Sequence, residues 1–296
     1  MAIPTAQVQK ARELQRRHVE PPILVLPNAW DAASARVFEA AGFPAVATTS
    51  AGIAYARGYP DGAFIPPGEM IDVIGRIATA VDVPVTADIE HGYGGSVDEV
   101  VHTVEQVMAA GAVGINLEDA VPGLAGRLEA TGLQAEKVRA IRDLAAATGL
   151  PIVINARTDV YLAALGEPAG RFDETVARAL AYRAAGADCI FVPGVRDAAT
   201  IARLVRAIGA PLNILAGPGS PDVAGLQQLG VARVSVGSGP MRATLALVQR
   251  MATALAAGTF DAITADSLPY DEANRLMAES AQRIARSRRP APRDVH

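Results

Sequence analysis

The sequence predicts an α/β fold, and specifically a (β/α)8 barrel, from three observations. Short, apolar, β-branched segments alternate with helical segments along most of the chain. The apolar segments are nearly continuous, which is typical of strands buried on both faces of a parallel sheet. Eight such units within about 230 residues match the usual size of a barrel.

The predicted strands recur at regular spacing, with helices such as 31–42 and 96–111 between them. Several helices end in a glycine suited to a left-handed stop, as at Gly42 and Gly111. No Gly-x-Gly-x-x-Gly motif follows the first strand, which disfavours the alternative, a doubly wound open sheet. The eight predicted strands are 23–30, 44–50, 83–90, 112–119, 151–159, 187–194, 210–217 and 231–238.

The sequence at both ends of the chain predicts helices and no further strands. The N-terminal segment is polar and helical and lacks the apolar stretch of a secretory signal. A further helical region follows residue 258, and residues 287–296 predict a flexible tail. We therefore expect a single barrel domain over 1–296 with helical extensions at both ends.

Composition and charge exclude several classes of protein. Half of the residues are hydrophobic and 20% are charged, as in folded globular chains. The net charge of −4 disfavours a nucleic-acid surface, and no segment approaches the roughly 20 apolar residues of a membrane helix. Because Cys189 is the only cysteine, an intrachain disulfide and a cysteine zinc site are excluded. We expect a cytoplasmic enzyme without nucleic-acid or membrane partners.

Lysine usage narrows the chemistry further. The only lysines are Lys10 and Lys137, both within helical segments. Arginine cannot form a Schiff base, whereas lysine-type aldolases and pyridoxal enzymes need a lysine in the active site. Both of these classes are therefore disfavoured.

Polar residues collect at the carboxyl ends of the predicted strands, where barrel enzymes build their active sites. Asp88 and Glu90 end the third strand, Glu118 the fourth and Arg157 the fifth. Since side chains alternate along a strand, we expect Asp88 and Glu90 to share a face and three carboxylates to converge with one guanidinium. Such anions repel one another unless a cation lies among them, and their oxygens favour Mg²⁺, with Mn²⁺ as the alternative.

Four further residues have structural as well as functional interpretations. His91 opens a glycine-rich segment and is a candidate for contact with a substrate or a metal. Asp119 and Asp159 are either site residues or caps of the segments that follow them. Cys189 lies within a predicted strand, where a buried apolar role is expected.

The order of these motifs resembles the isocitrate lyase/phosphoenolpyruvate mutase superfamily over roughly residues 20–260. Each motif is weak alone, but all five in order are specific: Pro-Asn-Ala-Trp-Asp at 27–31, Thr-Ser-Ala-Gly at 49–52, Asp-Ile-Glu-His-Gly-Tyr-Gly at 88–94, Asn-Leu-Glu-Asp at 116–119 and Asn-Ala-Arg-Thr-Asp at 155–159. The resemblance implies a barrel whose eighth helix is exchanged with a neighbouring subunit, in a homodimer or homotetramer.

The resemblance also implies roles for the acidic residues and the arginine. Asp88 and Glu90 match the pair that holds Mg²⁺, and Glu118 matches a further acidic residue around the metal. Arg157 matches the arginine that neutralises charge developing on a 2-oxo acid or its enolate. Asp61 matches an acidic residue behind the metal ligands.

A second group of residues matches the part of the family site that holds the substrate carboxylate. Ser50 and the backbone amides of Ala51 and Gly52 match the loop that cradles this group. Asn213 matches a residue close to it. His91 is a candidate proton donor, so the expected catalytic residues are Arg157, His91 and Glu118.

One segment departs from the lyases of the family. Those enzymes carry a Lys-Lys/Arg-Cys-Gly-His loop with an acid/base cysteine, whereas 122–128 reads Pro-Gly-Leu-Ala-Gly-Arg-Leu, with Ala125 at the cysteine position. Alanine cannot transfer a proton, which disfavours cleavage of isocitrate or methylisocitrate. The lysine and asparagine of the phosphonomutase loop are also absent. Residues 121–132 remain a candidate lid.

Decarboxylation makes fewer demands, because the enolate can be protonated by water or a nearby histidine. The motifs are nearest to the oxaloacetate decarboxylase branch. The resemblance therefore implies a Mg²⁺-dependent lyase that cleaves a carbon–carbon bond of a small 2-oxo acid through a metal-stabilised enolate. Two alternatives remain: the phosphorus–carbon chemistry of a phosphoenolpyruvate mutase or phosphonopyruvate hydrolase, and a barrel that binds a 2-oxo acid without catalysis.

Overall fold

The computed structural model describes residues 3–62, 65–124 and 126–287, with side chains described as far as residue 278. The tail expected at 287–296 lies, apart from the backbone of Ser287, outside the described residues. Ala125, which occupies the position of the family cysteine, also lies outside them.

The described strands form one parallel sheet that closes into a barrel, as predicted. β1 and β2 are two parts of one barrel strand that is interrupted at Pro27. Because β1 pairs with β9 and β2 pairs with β3, this interrupted strand joins the two ends of the sheet. The strands are β1 Leu24–Leu26, β2 Asn28–Ala29, β3 Val46–Thr48, β4 Val85–Asp88, β5 Gly114–Glu118, β6 Val153–Arg157, β7 Cys189–Phe191, β8 Leu212–Leu215 and β9 Arg233–Ser235.

Helices surround the sheet, and α1 lies across the amino-terminal end of the barrel. Leu14 and His18 of α1 are buried there, and Gln7 Nε2 donates hydrogen bonds to the carbonyls of Met108 and Ala112. The helices are α1 Thr5–Val19, α2 Ala32–Ala40, α3 Ser50–Arg57, α4 Pro67–Ala80, α5 Val97–Ala109, α6 Thr131–Thr148, α7 Arg171–Ala184, α8 Ala198–Ile208, α9 Val223–Gln228, α10 Gly239–Ala256, α11 Asp261–Thr264 and α12 Tyr270–Ser287, with a 3₁₀ turn at Pro168–Gly170.

Side-chain caps fix where several helices begin. The Asp31 carboxylate accepts the Ser34 N–H at 2.7 Å, and Ser34 Oγ accepts the Asp31 N–H at 3.2 Å. Ser96 and Glu99 form the same reciprocal box at the start of α5. Each cap satisfies backbone N–H groups that have no partner within the helix. The loops that leave the carboxyl ends of the strands therefore enter their helices at defined points.

Parallel pairing places the polar residues in levels across the sheet. Asn116 of β5 is in register with Asp88 of β4 and with Asn155 of β6. One level higher, Glu118 is in register with Arg157. Barrel interiors are usually filled with branched apolar side chains, so this polar interior marks a departure that needs a functional explanation.

The carboxyl-terminal helices differ in how they pack. α12 packs on α2 and α4 of the same chain, whereas Met241 is the only residue of α10 that is buried. Leu245, Val248 and Leu255 of α10 are between 42% and 53% exposed. Across the described residues, every helix is too short or too polar to cross a membrane. Exchange of the eighth helix between subunits stays a prediction.

Candidate active site

A cavity of about 180 Å³ opens at the carboxyl end of the barrel and extends into its interior. We call it the central cavity. Of the residues predicted for the site, Asp88, Arg157, Ser50, Ala51 and Asp61 line it. Its remaining lining consists of Asn28, Ala47, Thr48, Thr49, Thr86, Asn116, Leu162, Phe191, Pro193, Leu215, Arg233, Ser235, Gly237 and Ser238.

Asp88 is held in the central cavity by hydrogen-bond donors at the carboxyl ends of the two neighbouring strands. Its Oδ2 accepts the backbone N–H of Ser50 at 3.0 Å and the Ser50 hydroxyl at 2.8 Å. Its Oδ1 accepts Asn116 Nδ2 at 2.9 Å, and Asn116 Oδ1 in turn accepts Asn155 Nδ2 at 2.9 Å. The carboxylate is thus fixed in orientation by three hydrogen bonds.

Arg157 bridges two carboxylates at the end of β6. Its Nε and Nη2 donate to the two carboxylate oxygens of Asp159 at 2.5 and 2.7 Å, and Nη1 lies 2.7 Å from Glu118 Oε2. Burial would lower the pKa of Arg157, but Glu118 and Asp159 raise it above its ordinary value. Arg157 is therefore a permanent, preoriented cation beside Asp88.

Glu90 corrects the expectation based on strand alternation. β4 ends at Asp88, and Glu90 adopts a left-handed conformation with φ 51°. Alternation therefore does not apply, and the prediction that Asp88 and Glu90 share a strand face is wrong. Left-handed backbone at a residue other than glycine is strained and is concentrated at functional sites. Burial, with Asp88 and Asp61 nearby, raises the pKa of Glu90 to about 8.

Glu90, His91 and Glu118 line a second cavity next to the first, which we call the side compartment. Its volume is about 580 Å³, and Asp61 and Leu162 border both spaces. Among the described residues, its wall is otherwise formed by Gly62, Asp159, Ala163, Ala120, Val121, Pro122, Gly123, Leu124, Gly126, Arg127 and Leu128. The structure thus divides the predicted acidic residues between two adjoining spaces.

His91 is half-buried, and its ring meets that of Tyr93 edge-on at 5.9 Å. Burial and the nearby amine of Lys137 lower the pKa of His91, which favours the neutral imidazole. Lys137 itself is only 2% exposed. Neither Lys10 nor Lys137 is among the described residues that line the two cavities.

The carboxylates do not form a ready-made cage for a metal. Within 3–62, 65–124 and 126–278, no three His, Cys, Asp or Glu side chains are arranged to hold one ion together. Mg²⁺ does not require such a cage, because it is usually held by one or two carboxylates and keeps several waters. The donors are hard oxygens, and the buried Glu90 carboxyl is costly to ionise without a nearby cation. The donor set therefore fits Mg²⁺.

The residues predicted to cradle a carboxylate are only partly placed as expected. Ser50 and Ala51 open α3 at the central cavity, but the Ser50 amide and hydroxyl are directed to Asp88. The Gly52 N–H donates to Thr49 Oγ1, the cap of the same helix, and Gly52 does not line the cavity. Ala51 N–H is thus the amide best placed for a ligand.

Asn213 is fully buried and bonds to the hydroxyl of Ser235 at 3.0 Å. Among the described residues that line the central cavity, Ser235 is present and Asn213 is not. Asn213 therefore supports a cavity residue through this hydrogen bond. Its expected position near the substrate carboxylate stays a prediction.

Asp119 is an anchor for the site and not a simple cap. Its Oδ1 accepts the Asp159 N–H at 2.9 Å, and its Oδ2 accepts Tyr182 Oη at 2.7 Å and Arg178 Nη1 at 3.2 Å. Arg178 also donates to the Glu129 carbonyl at 2.8 Å. This network ties the ends of β5 and β6 to α7, and the sequence offered no pairing signal for it.

Arg233 was missed by the sequence analysis although a signal was present. It is an arginine within the otherwise apolar segment predicted as the last strand, 231–238. Its side chain is buried, with 2% exposure, and lines the central cavity. A charged residue at a buried strand position costs free energy unless it has a partner or a function.

Fold and site together define a parallel β/α barrel with an acidic, arginine-containing mouth. The family model for phosphoenolpyruvate phosphomutase matches residues 14–256. The chain therefore belongs to the isocitrate lyase/phosphoenolpyruvate mutase superfamily, whose members include lyases and mutases.

Individual relatives agree with this assignment. An uncharacterized protein of Mycobacterium tuberculosis is 38% identical over 261 residues, which cover 88% of this chain and 94% of the relative. An oxaloacetate decarboxylase of Rhodopseudomonas palustris is 29% identical over 288 residues, covering 91% and 90%. The crystal structure of a Burkholderia cenocepacia protein described as a lyase/mutase is 39% identical, with a TM-score of 0.86 and coverage of 93% and 98%.

Proposed function

We propose that the protein is a Mg²⁺-dependent lyase that decarboxylates a small 2-oxo acid such as oxaloacetate. The observation that carries the proposal is the placement of Asp88 and Arg157 in one cavity of about 180 Å³. A fixed anion suits a metal, and a fixed cation beside it suits a substrate with a carboxylate. The similarity to oxaloacetate decarboxylase supports the choice of reaction.

The metal would be held by Asp88, with Glu90 and Glu118 acting directly or through water. When bound, Mg²⁺ would polarise the keto oxygen and carboxylate of the substrate and help to hold the enolate charge. Mn²⁺ would serve in the same way because it shares the preference for oxygen donors.

Arg157 supplies fixed positive charge where the enolate oxygen develops. Its contacts with Glu118 and Asp159 hold the guanidinium in place before the substrate arrives, so little reorganisation is needed during the reaction. The Ala51 N–H at the start of α3 binds the substrate carboxylate, which is favourable at a helix N-terminus.

Water beside His91, or the protonated form of its imidazole, protonates the carbanion after carbon dioxide leaves. The side compartment, where His91 and Glu90 lie together, gives a proton donor access from one side of the substrate. No strong acid is required before the bond breaks, so alanine at position 125 does not prevent this reaction.

The test is a continuous assay of pyruvate formation from oxaloacetate, with the spontaneous and metal-only rates subtracted. We expect turnover with Mg²⁺ or Mn²⁺, and its loss with a chelator. A panel of small 2-oxo acids in the same assay identifies the preferred substrate. Absence of turnover above the metal-only rate for every 2-oxo acid would overturn the proposal.

Phosphonopyruvate is the second substrate to test, because the matching family model is that of phosphoenolpyruvate phosphomutase. Phosphorus NMR distinguishes rearrangement to phosphoenolpyruvate from release of phosphate. Either product, without oxaloacetate turnover, would replace the lyase with phosphorus–carbon chemistry. Tight oxalate binding without any turnover would instead identify a binding protein.

We also propose that the protein forms a homodimer or homotetramer through α10. Leu245, Val248 and Leu255 lie on one side of that helix at positions separated by three and seven residues. Single exposed apolar residues are common on protein surfaces, but three on one side of a helix form a patch of the kind that marks an interaction surface. A second copy of the chain would bury this face.

A further inference from the structure

The interior end of the central cavity contains a cation that the proposed reaction does not use. Arg233 begins β9, in register with Leu24 on one side and Asn213 on the other. We call the part of the cavity around Arg233 and Thr86 the cavity floor; both residues line the cavity.

Arg233 differs from Arg157 and Arg178 in making no ion pair with a carboxylate of the described residues. Arg157 contacts Glu118 and Asp159, and Arg178 contacts Asp119 and Glu174. Considering only the described part of the chain, no carboxylate oxygen lies within 4.0 Å of the Arg233 guanidinium, whose polar contacts are all to neutral groups.

These neutral contacts are long. Arg233 Nε lies 3.4 Å from Ser235 Oγ, and Nη1 lies 3.5 Å from His18 Nε2. The other ring nitrogen of His18 is 2.7 Å from the Leu14 carbonyl and must donate to it. Burial and the charge of Arg233 lower the pKa of His18 to about 4, so its ring is neutral at neutral pH. Since burial lowers the pKa of Arg233 only to about 10, the guanidinium stays charged at neutral pH.

Thr86 provides an independent observation on the same floor. It is 1% exposed, and its Oγ1 is buried without a hydrogen-bond partner among the described residues. Thr86 lies on β4, across the barrel interior from β9. The floor thus presents a buried cation and an unused hydroxyl donor to one space.

Asp88 is the nearest acidic group to consider as a counter-ion. It contributes to the charge environment of Arg233, but its oxygens already accept from Ser50 and Asn116. An uncompensated buried charge costs several kcal/mol, and water alone supplies no neutralising charge. A small anion would supply it, and the cavity can hold one since a water-sized species occupies about 30 Å³.

We propose that the cavity floor is an anion-binding subsite in which the Arg233 guanidinium and the Thr86 hydroxyl bind one small anion. The chemistry fits a halide-sized ion or a carboxylate group that reaches down from a ligand at the mouth. This subsite does not depend on which reaction takes place at the mouth of the cavity.

Bromide is the probe. Wild-type crystals are soaked in sodium bromide, and anomalous data are collected at the bromine edge. We expect a peak between Arg233 and Thr86. In solution, thermal unfolding is measured in increasing bromide, with sodium gluconate keeping the ionic strength constant. Bromide should raise the Tm in a saturable manner, since a ligand that binds the native state stabilises it.

Thr86→Val is the decisive variant, because it preserves shape and removes only the hydroxyl. Its Tm in gluconate should equal or exceed that of the wild type, as no protein hydrogen bond is lost. Its bromide Kd should be about 5- to 10-fold higher, as expected for one lost hydrogen bond. Thr175→Val is the matched control: Thr175 is equally buried with an unpartnered Oγ1 but does not line the cavity.

A second soak with Mg²⁺ and oxalate separates the two sources of the anion. Bromide retained beside oxalate identifies a dissolved ion, and bromide displaced by oxalate identifies a ligand carboxylate; both outcomes support the subsite. No bromide peak in the wild type, or an identical bromide response in the wild type and Thr86→Val, would overturn it.

Discussion

Tyr182 donates its hydroxyl to Asp119 at 2.7 Å, and through this contact α7 supports the active-site arginine from behind. The other oxygen of Asp119 accepts the backbone N–H of Asp159, whose carboxylate holds Arg157. The two contacts of Asp119 are buried, and each link is 2.9 Å or shorter. The position of the Arg157 guanidinium therefore depends on residues that do not line the central cavity.

Tyr182→Phe tests this support. The change leaves Asp119 with one buried donor fewer, so we expect the free energy of unfolding to fall by about 1–2 kcal/mol. Urea denaturation measures it, and we expect a several-fold lower kcat with little change in KM. Tyr59→Phe is the control, because Tyr59 bonds to Glu69 at 3.2 Å nearer the surface and should cost little. Equal effects of both changes would refute a special role for Tyr182.

Arg157→Lys separates charge from geometry. Lysine keeps the positive charge but cannot contact both oxygens of Asp159 while reaching Glu118. We expect kcat to fall by about 100-fold, as when a preorganised charge-stabilising donor is removed. Steady-state kinetics of oxaloacetate turnover measure this. Arg203→Lys, at an exposed arginine that stacks on Phe172, should leave the rate unchanged. Full activity of Arg157→Lys would contradict the proposed role.

His18 makes stability depend on pH. Burial and Arg233 lower its pKa from 6.5 to about 4 in the folded state. The unfolded state therefore binds the proton first as the pH falls, so this contribution is complete above pH 6.5 and is lost progressively between 6.5 and 4. We expect the free energy of unfolding to be about 2 kcal/mol lower at pH 5 than at pH 8 from this group.

Urea denaturation at the two pH values checks the His18 prediction. The informative comparison is with His18→Gln, which keeps a donor for the Leu14 carbonyl but does not titrate. Between pH 5 and pH 8, the free energy of unfolding of this variant should change by about 2 kcal/mol less than that of the wild type. An identical pH dependence in the wild type and the variant would show that His18 is not responsible.

Val248→Asp tests assembly through α10. Val248 is 53% exposed in the single chain, and a carboxylate within an apolar interface would be buried without a partner. We expect light scattering after size exclusion to give a dimer or tetramer for the wild type and a shift towards monomer for the variant. Gln249→Glu, on another side of the helix, should not change the mass. A monomeric wild type would refute the interface.

The sequence was sufficient for the barrel because eight continuous apolar strands alternate with helices, several of which end in a glycine stop. It could not show that the first strand is split at Pro27 or that the chain leaves β4 at Asp88. Glu90 then adopts a left-handed conformation, so its direction could not be derived from alternation. Such local backbone choices depend on tertiary contacts.

The sequence also could not show how deeply a polar residue lies within the barrel. Asn213 is polar and close to a strand end, yet it is fully buried and bonds to Ser235, which lines the cavity. The Tyr182–Asp119 contact joins residues 63 positions apart, and nothing in a single sequence identifies such pairs. Arg233 could have been found, since a charged residue in an apolar strand is itself a signal.

Oxalate binding with and without Mg²⁺ tests the central claim most directly, because oxalate resembles the enolate of a 2-oxo acid and does not react. By titration calorimetry, we expect the wild type to bind oxalate with Mg²⁺ and not with a chelator. Asp88→Asn should lose this binding, and Asp72→Asn, at an exposed site on α4, should retain it. Metal-independent oxalate binding, or unchanged binding in Asp88→Asn, would contradict the account.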